Sequence, residues 1–343
     1  LDVATLPGRP ASPNPRLNLL LALVLGLGFG LAVALAREYS DTRIHDRASL
    51  ERRTTLPILA MIPKIKRPGP VLPVSVARGD ETMRQIHAGS GITIGSGVAA
   101  LPLPARRALP VLRRRAATNG PTPNEDVALE VFRSLGADLH FVARRLPKGD
   151  LRSVAITSAG RGDGKTYVAC NLALARASFG IHTLLIDADM RARGVASFFD
   201  LGNPSPGLSE LLSGRVSARE ARRTLRVDGG DALSVMPAGE GTPDAAELLD
   251  TAYFEAMLAG AQAVYDLVII DTPPLNVLTD AAAVAASVDA VLVVVREGIT
   301  DGESLELTLQ RLERAGGNVA GIVLNNVQLP KQYAAYGGYT YAK

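Results

Sequence analysis

The sequence predicts an α/β fold, a mostly parallel sheet with helices on both faces, preceded by one transmembrane helix and a flexible linker. Short apolar, β-branched runs alternate with helical stretches from residue 125 onward. A glycine-rich loop follows the first of these runs and opens a helix. An uncharged apolar run stands near the start of the chain.

That run, residues 17–36 (LNLLLALVLGLGFGLAVALA), is 20 residues long. At about 1.5 Å per residue a helix of this length spans roughly 30 Å, the thickness of a bilayer core. A buried helix of a soluble protein would normally show some polar positions. Arg9 and Arg16 precede the run, and Arg37, Arg43, Arg47, Arg52 and Arg53 follow it. The excess of arginine after it puts the C-terminal side in the cytoplasm and residues 1–16, a Pro-rich lead, in the periplasm. The chain starts at Leu1 rather than Met, and an upstream part is expected.

Residues 37–124 are expected to be a basic juxtamembrane linker, with Pro, Gly, Ser and Arg and no sustained periodicity from Pro63 to Pro123. Its clusters Lys64-Ile65-Lys66-Arg67 and Arg113-Arg114-Arg115 suit anionic lipid, or equally a plain solvated linker. Charge is divided along the chain: residues 1–124 hold 17 Lys/Arg against 7 Asp/Glu, and residues 125–343 hold 20 against 27. An acidic body with 4% aromatic residues and no Trp argues against nucleic acid as a partner. A single cysteine, Cys170, excludes an internal disulfide and a multi-cysteine metal site.

Residues 125–328 read as one globular domain. The segment 125–145 has apolar residues at helical spacing, acids first and arginine last, as a helix dipole favours. The runs SVAITS, HTLLID, LSVMP, DLVIID, AVLVVV and AGIVLN read as strands of βαβ units.

Between SVAITS and the helix TYVACNLALARA lies Ala159-Gly160-Arg161-Gly162-Asp163-Gly164-Lys165-Thr166, a Walker A phosphate loop with Ala159 in place of the usual first glycine. Its glycines let backbone N–H groups face phosphate oxygens. Lys165 supplies a point charge, the Thr166 hydroxyl suits Mg²⁺, and the helix N-terminus adds its dipole. These residues and the adjoining Tyr167 are expected to bind ATP. Asp187 and Asp189 end one strand run (LLIDADMR) and Asp271 ends another (DLVIIDTPP). Carboxylates at strand C-termini gather beside such a loop. Asp271 and Asp187, with Thr166, are candidates for Mg²⁺ and its water shell. Asp187 or Asp189 is the candidate to accept a proton in phosphoryl transfer.

Cys170 reads as buried packing and His182 as surface. Arg191 reads as a phosphate or neighbour contact, or as a surface ion pair. In the C-terminal tail 329–343, Tyr333, Tyr336, Tyr339 and Tyr341 are four of eight tyrosines, separated by Gly, Ala and Thr. A tail of this composition presents accessible phosphate acceptors.

Together these features resemble the bacterial tyrosine kinases of polysaccharide co-polymerases, the Wzc-like group, over essentially the whole chain. Residues 159–166, LLIDADMR and LVIIDTPP match the family's P-loop, second Walker-type motif and Walker B. NPSPGLSELLSG, MPAGEGTPDAAELL and GIVLNNV look like further family segments. The resemblance implies a MinD/ParA-like P-loop fold in the bacterial inner membrane with a cytoplasmic kinase domain, which autophosphorylates on tyrosine and regulates polysaccharide chain length and export. It also implies ring assembly with copies of itself, the export machinery and a tyrosine phosphatase as partners, and Asn325 near the adenine. The family's assembly motif Glu-x-x-Arg-x-x-Arg is met by Glu130 and Arg133, but Gly136 stands at the last position. Protein kinases of the eukaryotic type are excluded by the lack of His-Arg-Asp and Asp-Phe-Gly motifs, and nitrogenase-reductase-like ATPases by the lack of cluster cysteines. A partitioning ATPase fits neither the apolar span nor the tyrosine tail. The alternative is a catalytically weak ATPase switch that serves as a structural component of the export system.

Overall fold

The computed structural model describes residues 15–39, 41–66, 68–76, 123–144, 149–227, 232–242, 244–277 and 280–328. The chain divides into two compact units, Leu1–Arg43 and Ile44–Lys343.

In the first unit, helix α1 (Pro15–Tyr39) contains the expected span and extends it at both ends. Pro15 occupies the first helical position, where its missing N–H leaves no intrahelical bond unmade. Residues Arg16–Arg37 have a mean hydropathy of 2.6, long and apolar enough to cross a bilayer by length and composition.

The second unit is built on a nine-stranded sheet of order β1-β9-β8-β3-β7-β4-β6-β5-β2. The phosphate-loop strand β3 (Ser153–Ser158) lies near the centre, between β8 (Ala290–Arg296) and β7 (Leu267–Asp271), and β4 (Thr183–Asp187) lies beyond β7. All pairings from β1 to β6 (Ala232–Met236) are parallel. β5 (Arg223–Val227) and β2 (Val74–Val76) close one edge antiparallel. Every residue of β3, β4 and β7 is buried, because helices cover both faces of the sheet, and this is why these strands read as unbroken apolar runs. The core accordingly forms two clusters, one on each side of the sheet.

The linker expectation needs correction over its first part. Ile44, Leu50 and Ile62 are fully buried, α2 (Arg47–Glu51) is capped by Asp46, and β1 (Ile58–Pro63) pairs in parallel with β9 (Val319–Val327). The folded unit therefore starts at Ile44 and not at 125. Prolines at 57 and 63 made ILAMIP look like loop, yet proline is tolerated on an edge strand. The helix expected over 125–145 is α3 (Pro123–Ala143), which buries Phe132, Leu135 and Leu139. Residues 77–122, with Arg113 to Arg115, lie outside the described residues, as do Leu1 to Asn14 and the tyrosine tail.

Candidate active site

β3 delivers the chain into the loop 159–164, and α4 (Lys165–Ala177) begins immediately after it. Gly162 and Gly164 take the left-handed conformation, at φ 83° and 98°, which glycine adopts without a Cβ penalty. Gly164 has a second constraint, since a Cβ there would collide with the Asn325 amide. The loop thus curls over the first turn of α4, whose leading N–H groups have no acceptor within the helix. Ala159, in place of the usual glycine, is buried, while Arg161 and Gly162 are exposed.

Asp163 does not face outward with the rest of the loop. Its Oδ2 accepts the Gly160 N–H at 2.8 Å and its Oδ1 accepts the Thr300 hydroxyl at 2.9 Å. Burial raises its pKa, against the pull of these donors and of Arg296 and Lys165. Asn325 donates its amide to the Asp163 carbonyl at 2.8 Å and accepts the Asn326 N–H at 2.9 Å. Both ends of that amide are therefore engaged in supporting the loop. Tyr167 also departs from expectation. Its ring packs edge-on against Phe132 and Phe198 at 5.7 and 6.2 Å, and its hydroxyl is buried without a partner. Burial raises its pKa, and the residue belongs to the packing of α4 rather than to the phosphate face.

The three strand-end aspartates converge on the loop from β4 and β7. Lys165 Nζ lies 3.2 Å from Asp189 Oδ2, and the Ala192 N–H reaches the other Asp189 oxygen at 3.0 Å. Asp187 is fully buried, and each of its oxygens accepts a backbone N–H, from Asp189 and Val195, both at 3.1 Å. Burial, with the nearby Asp271 charge, pushes its pKa well up. Asp271 is also fully buried, and neither of its oxygens has a hydrogen-bond partner of good geometry. Burial pushes its pKa up to about 7, against the pull of Lys165 and the neighbouring Thr166 hydroxyl.

Part of this donor set has the chemistry that Mg²⁺ takes. Among the described residues no group of three His, Cys, Asp or Glu side chains could hold a metal by itself. Mg²⁺ is ordinarily held by one or two carboxylates, with water and phosphate filling the remaining positions. The orphaned Asp271 oxygens and the adjacent Thr166 hydroxyl answer that description. Asp187, which accepts one backbone N–H on each oxygen, anchors the loop 188–195.

Other expectations resolve simply. Cys170 is buried and His182 half-buried beside Tyr265. Arg191 forms an ion pair with the buried Asp280 at 3.5 Å. Glu130 and Arg133 pair with each other along α3 at 2.6 Å, and the Arg133 guanidinium lies 5.6 Å from the centre of the Phe179 ring. A Cβ at Gly136 would meet Arg176 Cδ at 2.7 Å, so the glycine makes room for an arginine from α4. Sequence reasoning missed Thr300 and Arg296, whose contacts to the loop span more than 130 residues and carry no local signal. It also missed Glu210. That buried carboxylate accepts the N–H groups of Gly207 and Glu240 at 2.7 and 2.9 Å, pinning the loop after β6.

A phosphate loop between a strand and a helix, with carboxylates closing on it from two neighbouring strands, defines a P-loop ATPase domain and implies nucleotide binding. A family described as "AAA domain" matches residues 151–315. Over 210 residues the chain is 32% identical to the tyrosine-protein kinase CpsD of Streptococcus agalactiae, covering 61% of this chain and 87% of that one. It is 37% identical over 202 residues to the tyrosine-protein kinase etk of Escherichia coli (strain K12), of whose length it covers only 27%. Among solved structures, the BceF tyrosine kinase domain superposes with a TM-score of 0.59 at 27% identity, over 84% of this chain and 100% of that one. The kinase domain of Escherichia coli tyrosine kinase ETK does so at 0.57 and 28%, over 84% and 95%. The chain belongs to the bacterial tyrosine-kinase family.

Proposed function

We infer that the chain is an ATP-dependent, autophosphorylating protein-tyrosine kinase of the inner membrane, acting in the export of extracellular polysaccharide. The observation that carries the reading is the convergence of Lys165, Thr166, Asp189 and Asp271 on one phosphate loop. Lys165 and the loop N–H groups bind and orient the phosphates, and Thr166 and Asp271 hold Mg²⁺, which when bound neutralises charge on the transferring group. Asp187 fixes the loop that presents Asp189. Asp189 is paired with Lys165 and becomes free to accept a tyrosine proton as Lys165 turns to phosphate. A free tyrosine hydroxyl, with a pKa of about 10, needs such an acceptor at neutral pH. The acceptors are Tyr333, Tyr336, Tyr339 and Tyr341 of a neighbouring copy, α1 spans the membrane, and the folded unit faces the cytoplasm with its arginines near anionic lipid.

One experiment tests activity and orientation together. Membrane vesicles carrying the full chain are given labelled ATP, in inverted and in right-side-out form. Phosphotyrosine is expected only in inverted vesicles, absent in Lys165→Met, and reduced at least about tenfold when all four tail tyrosines become Phe. Labelling of right-side-out vesicles alone, or phosphate mainly on Tyr253 or Tyr265, overturns the reading.

Assembly through α3 belongs to the same reading, with Arg176 supplying over Gly136 a cation that the helix itself lacks there. Arg176 is partly buried, and burial lowers its pKa. Glu130→Ala and Arg176→Ala should each shift the full chain toward smaller species in sedimentation, with thermal stability changed by less than about 1 kcal/mol for the exposed Glu130. Unchanged sedimentation in both variants removes this surface.

A further inference from the structure

An acidic residue inside a phosphate loop poses an electrostatic problem. Asp163 stands two positions before Lys165, in the segment that must receive an anion. A carboxylate facing the cradle would compete with phosphate for Lys165 and for the loop N–H groups, and would repel the polyphosphate directly. The structure resolves the conflict by holding the carboxylate inward.

Arg296 at the end of β8 and Thr300 on the loop that follows do this. The Thr300 hydroxyl accepts the Arg296 N–H at 2.7 Å, which leaves its own proton for Asp163 Oδ1 at 2.9 Å. Arg296 Nη1 donates to the Gly162 carbonyl at 2.7 Å, bringing a guanidinium beside the same carboxylate. With the Gly160 N–H on Oδ2, both Asp163 oxygens act as acceptors, as an ionised carboxylate must. Thr300 and Asp163 are both nearly fully buried, so the contact is shielded from water. Thr300 is itself held in place: its carbonyl accepts the Ile44 N–H at 3.0 Å, and the Ile44 carbonyl accepts the Gly298 N–H at 2.8 Å. The clamp is thus built from a strand end, its following loop and the first residue of the folded unit, none of them part of the phosphate-loop motif.

We propose that Thr300 and Arg296 are positioning residues that keep the Asp163 carboxylate out of the phosphate cradle, so that an acidic phosphate loop can still accept a polyanion. The proposal rests on the nucleotide site described above, and the charge of Asp163 is the means by which both residues act. Removing the Thr300 hydroxyl frees one carboxylate oxygen, and the side chain is then drawn to Lys165 and the helix N-terminus, where it acts as an internal competitor of phosphate.

The test uses the full chain in detergent or nanodiscs, with affinities for ATP–Mg and ADP–Mg read by fluorescence and the amide exchange of Gly160 read without nucleotide. Thr300→Val, nearly isosteric, should weaken ATP binding about tenfold and ADP binding less, because ATP carries more charge. It should also speed Gly160 exchange, whereas Thr300→Ser should retain wild-type behaviour. In an Asp163→Asn background, whatever its own affinity, adding Thr300→Val should change binding less than about twofold, because no carboxylate remains to be released. Arg296→Met should resemble Thr300→Val and be relieved in the same background. Wild-type protein that binds neither nucleotide overturns the nucleotide reading itself. Wild-type binding with undiminished affinity in Thr300→Val, or an equal loss in both backgrounds, overturns the clamp alone.

Discussion

The phosphate loop has two flanks, and they are built on opposite principles. On the β8 and β9 side, Arg296, Thr300 and Asn325 close hydrogen bonds to Gly162 and Asp163 between 2.7 and 2.9 Å. On the β4 and β7 side, Asp187 and Asp271 are fully buried, burial and the Asp271 charge push the Asp187 pKa up, and neither Asp271 oxygen has a hydrogen-bond partner of good geometry. Buried polar groups are normally satisfied, and an orphaned carboxylate in the interior costs stability unless a cation or a proton compensates it. One flank is closed by hydrogen bonds throughout; the other keeps, at Asp271, a buried carboxyl without one. Scaffold and proposed site thus lie on opposite flanks of a single loop.

The sharpest way to break this contrast is to remove the orphan. The folded protein holds a proton on Asp271 up to about pH 7, against an ordinary carboxyl value of 3.8. The unfolded chain releases that proton near the lower value, so stability without Mg²⁺ should fall as pH rises between the two. Mg²⁺-dependent binding runs the opposite way, since the metal needs the ionised form, and should improve about tenfold from pH 6 to pH 8. Asp271→Asn should abolish both dependences and lose about 100-fold in Mg²⁺-dependent ATP affinity. It should stabilise the free domain at pH 8 by about 1–3 kcal/mol, the cost of ionising the carboxylate less that of burying an amide. Thermal melts at two pH values and titrations with and without Mg²⁺ measure each part. A variant that melts lower at pH 8 and still binds Mg–ATP as the wild type does would show that Asp271 is ordinary core.

The same division governs what the sequence discloses. Lys165, Thr166, Asp187, Asp189 and Asp271 are legible because each lies within a short run whose strand-to-loop context is local, and the structure brings all five around one loop. The hydrogen-bonded flank is not legible. Thr300 and Arg296 meet the phosphate loop across 137 and 134 residues, and Thr300 looks like one more polar residue before a helix. The segment 44–63 was hidden for a related reason: an edge strand bounded by prolines has the composition of a linker, and only its partner β9 makes it a strand. Tyr167 misled in the other direction, since adjacency to Thr166 suggested the nucleotide while the helical turn carried its ring into the core.

A smaller effect sharpens the contrast from the hydrogen-bonded side. Asn325 lends its amide to the Asp163 carbonyl and fills the space that any side chain at position 164 would need. Asn325→Ala removes a donor from a buried carbonyl, a loss of about 1–2 kcal/mol of folding stability, and leaves the left-handed Gly164 turn less confined. If this flank is scaffold, the consequence for nucleotide is indirect: ATP and ADP affinities should fall together, by no more than about fivefold, equally with and without Mg²⁺ and equally at pH 6 and pH 8. Asn325→Asp should cost more than alanine, because it turns a carboxylate oxygen toward a carbonyl oxygen where a donor stood. Thermal melts and the same titrations used for Asp271→Asn give both comparisons directly. A loss in Asn325→Ala that depends on Mg²⁺ or on pH would mean that the amide reaches the metal side of the loop, and the two flanks would then have to be treated as one coupled site. A loss confined to nucleotides bearing adenine, with guanine nucleotides unaffected, would instead restore Asn325 to the base-binding role that the family resemblance gave it.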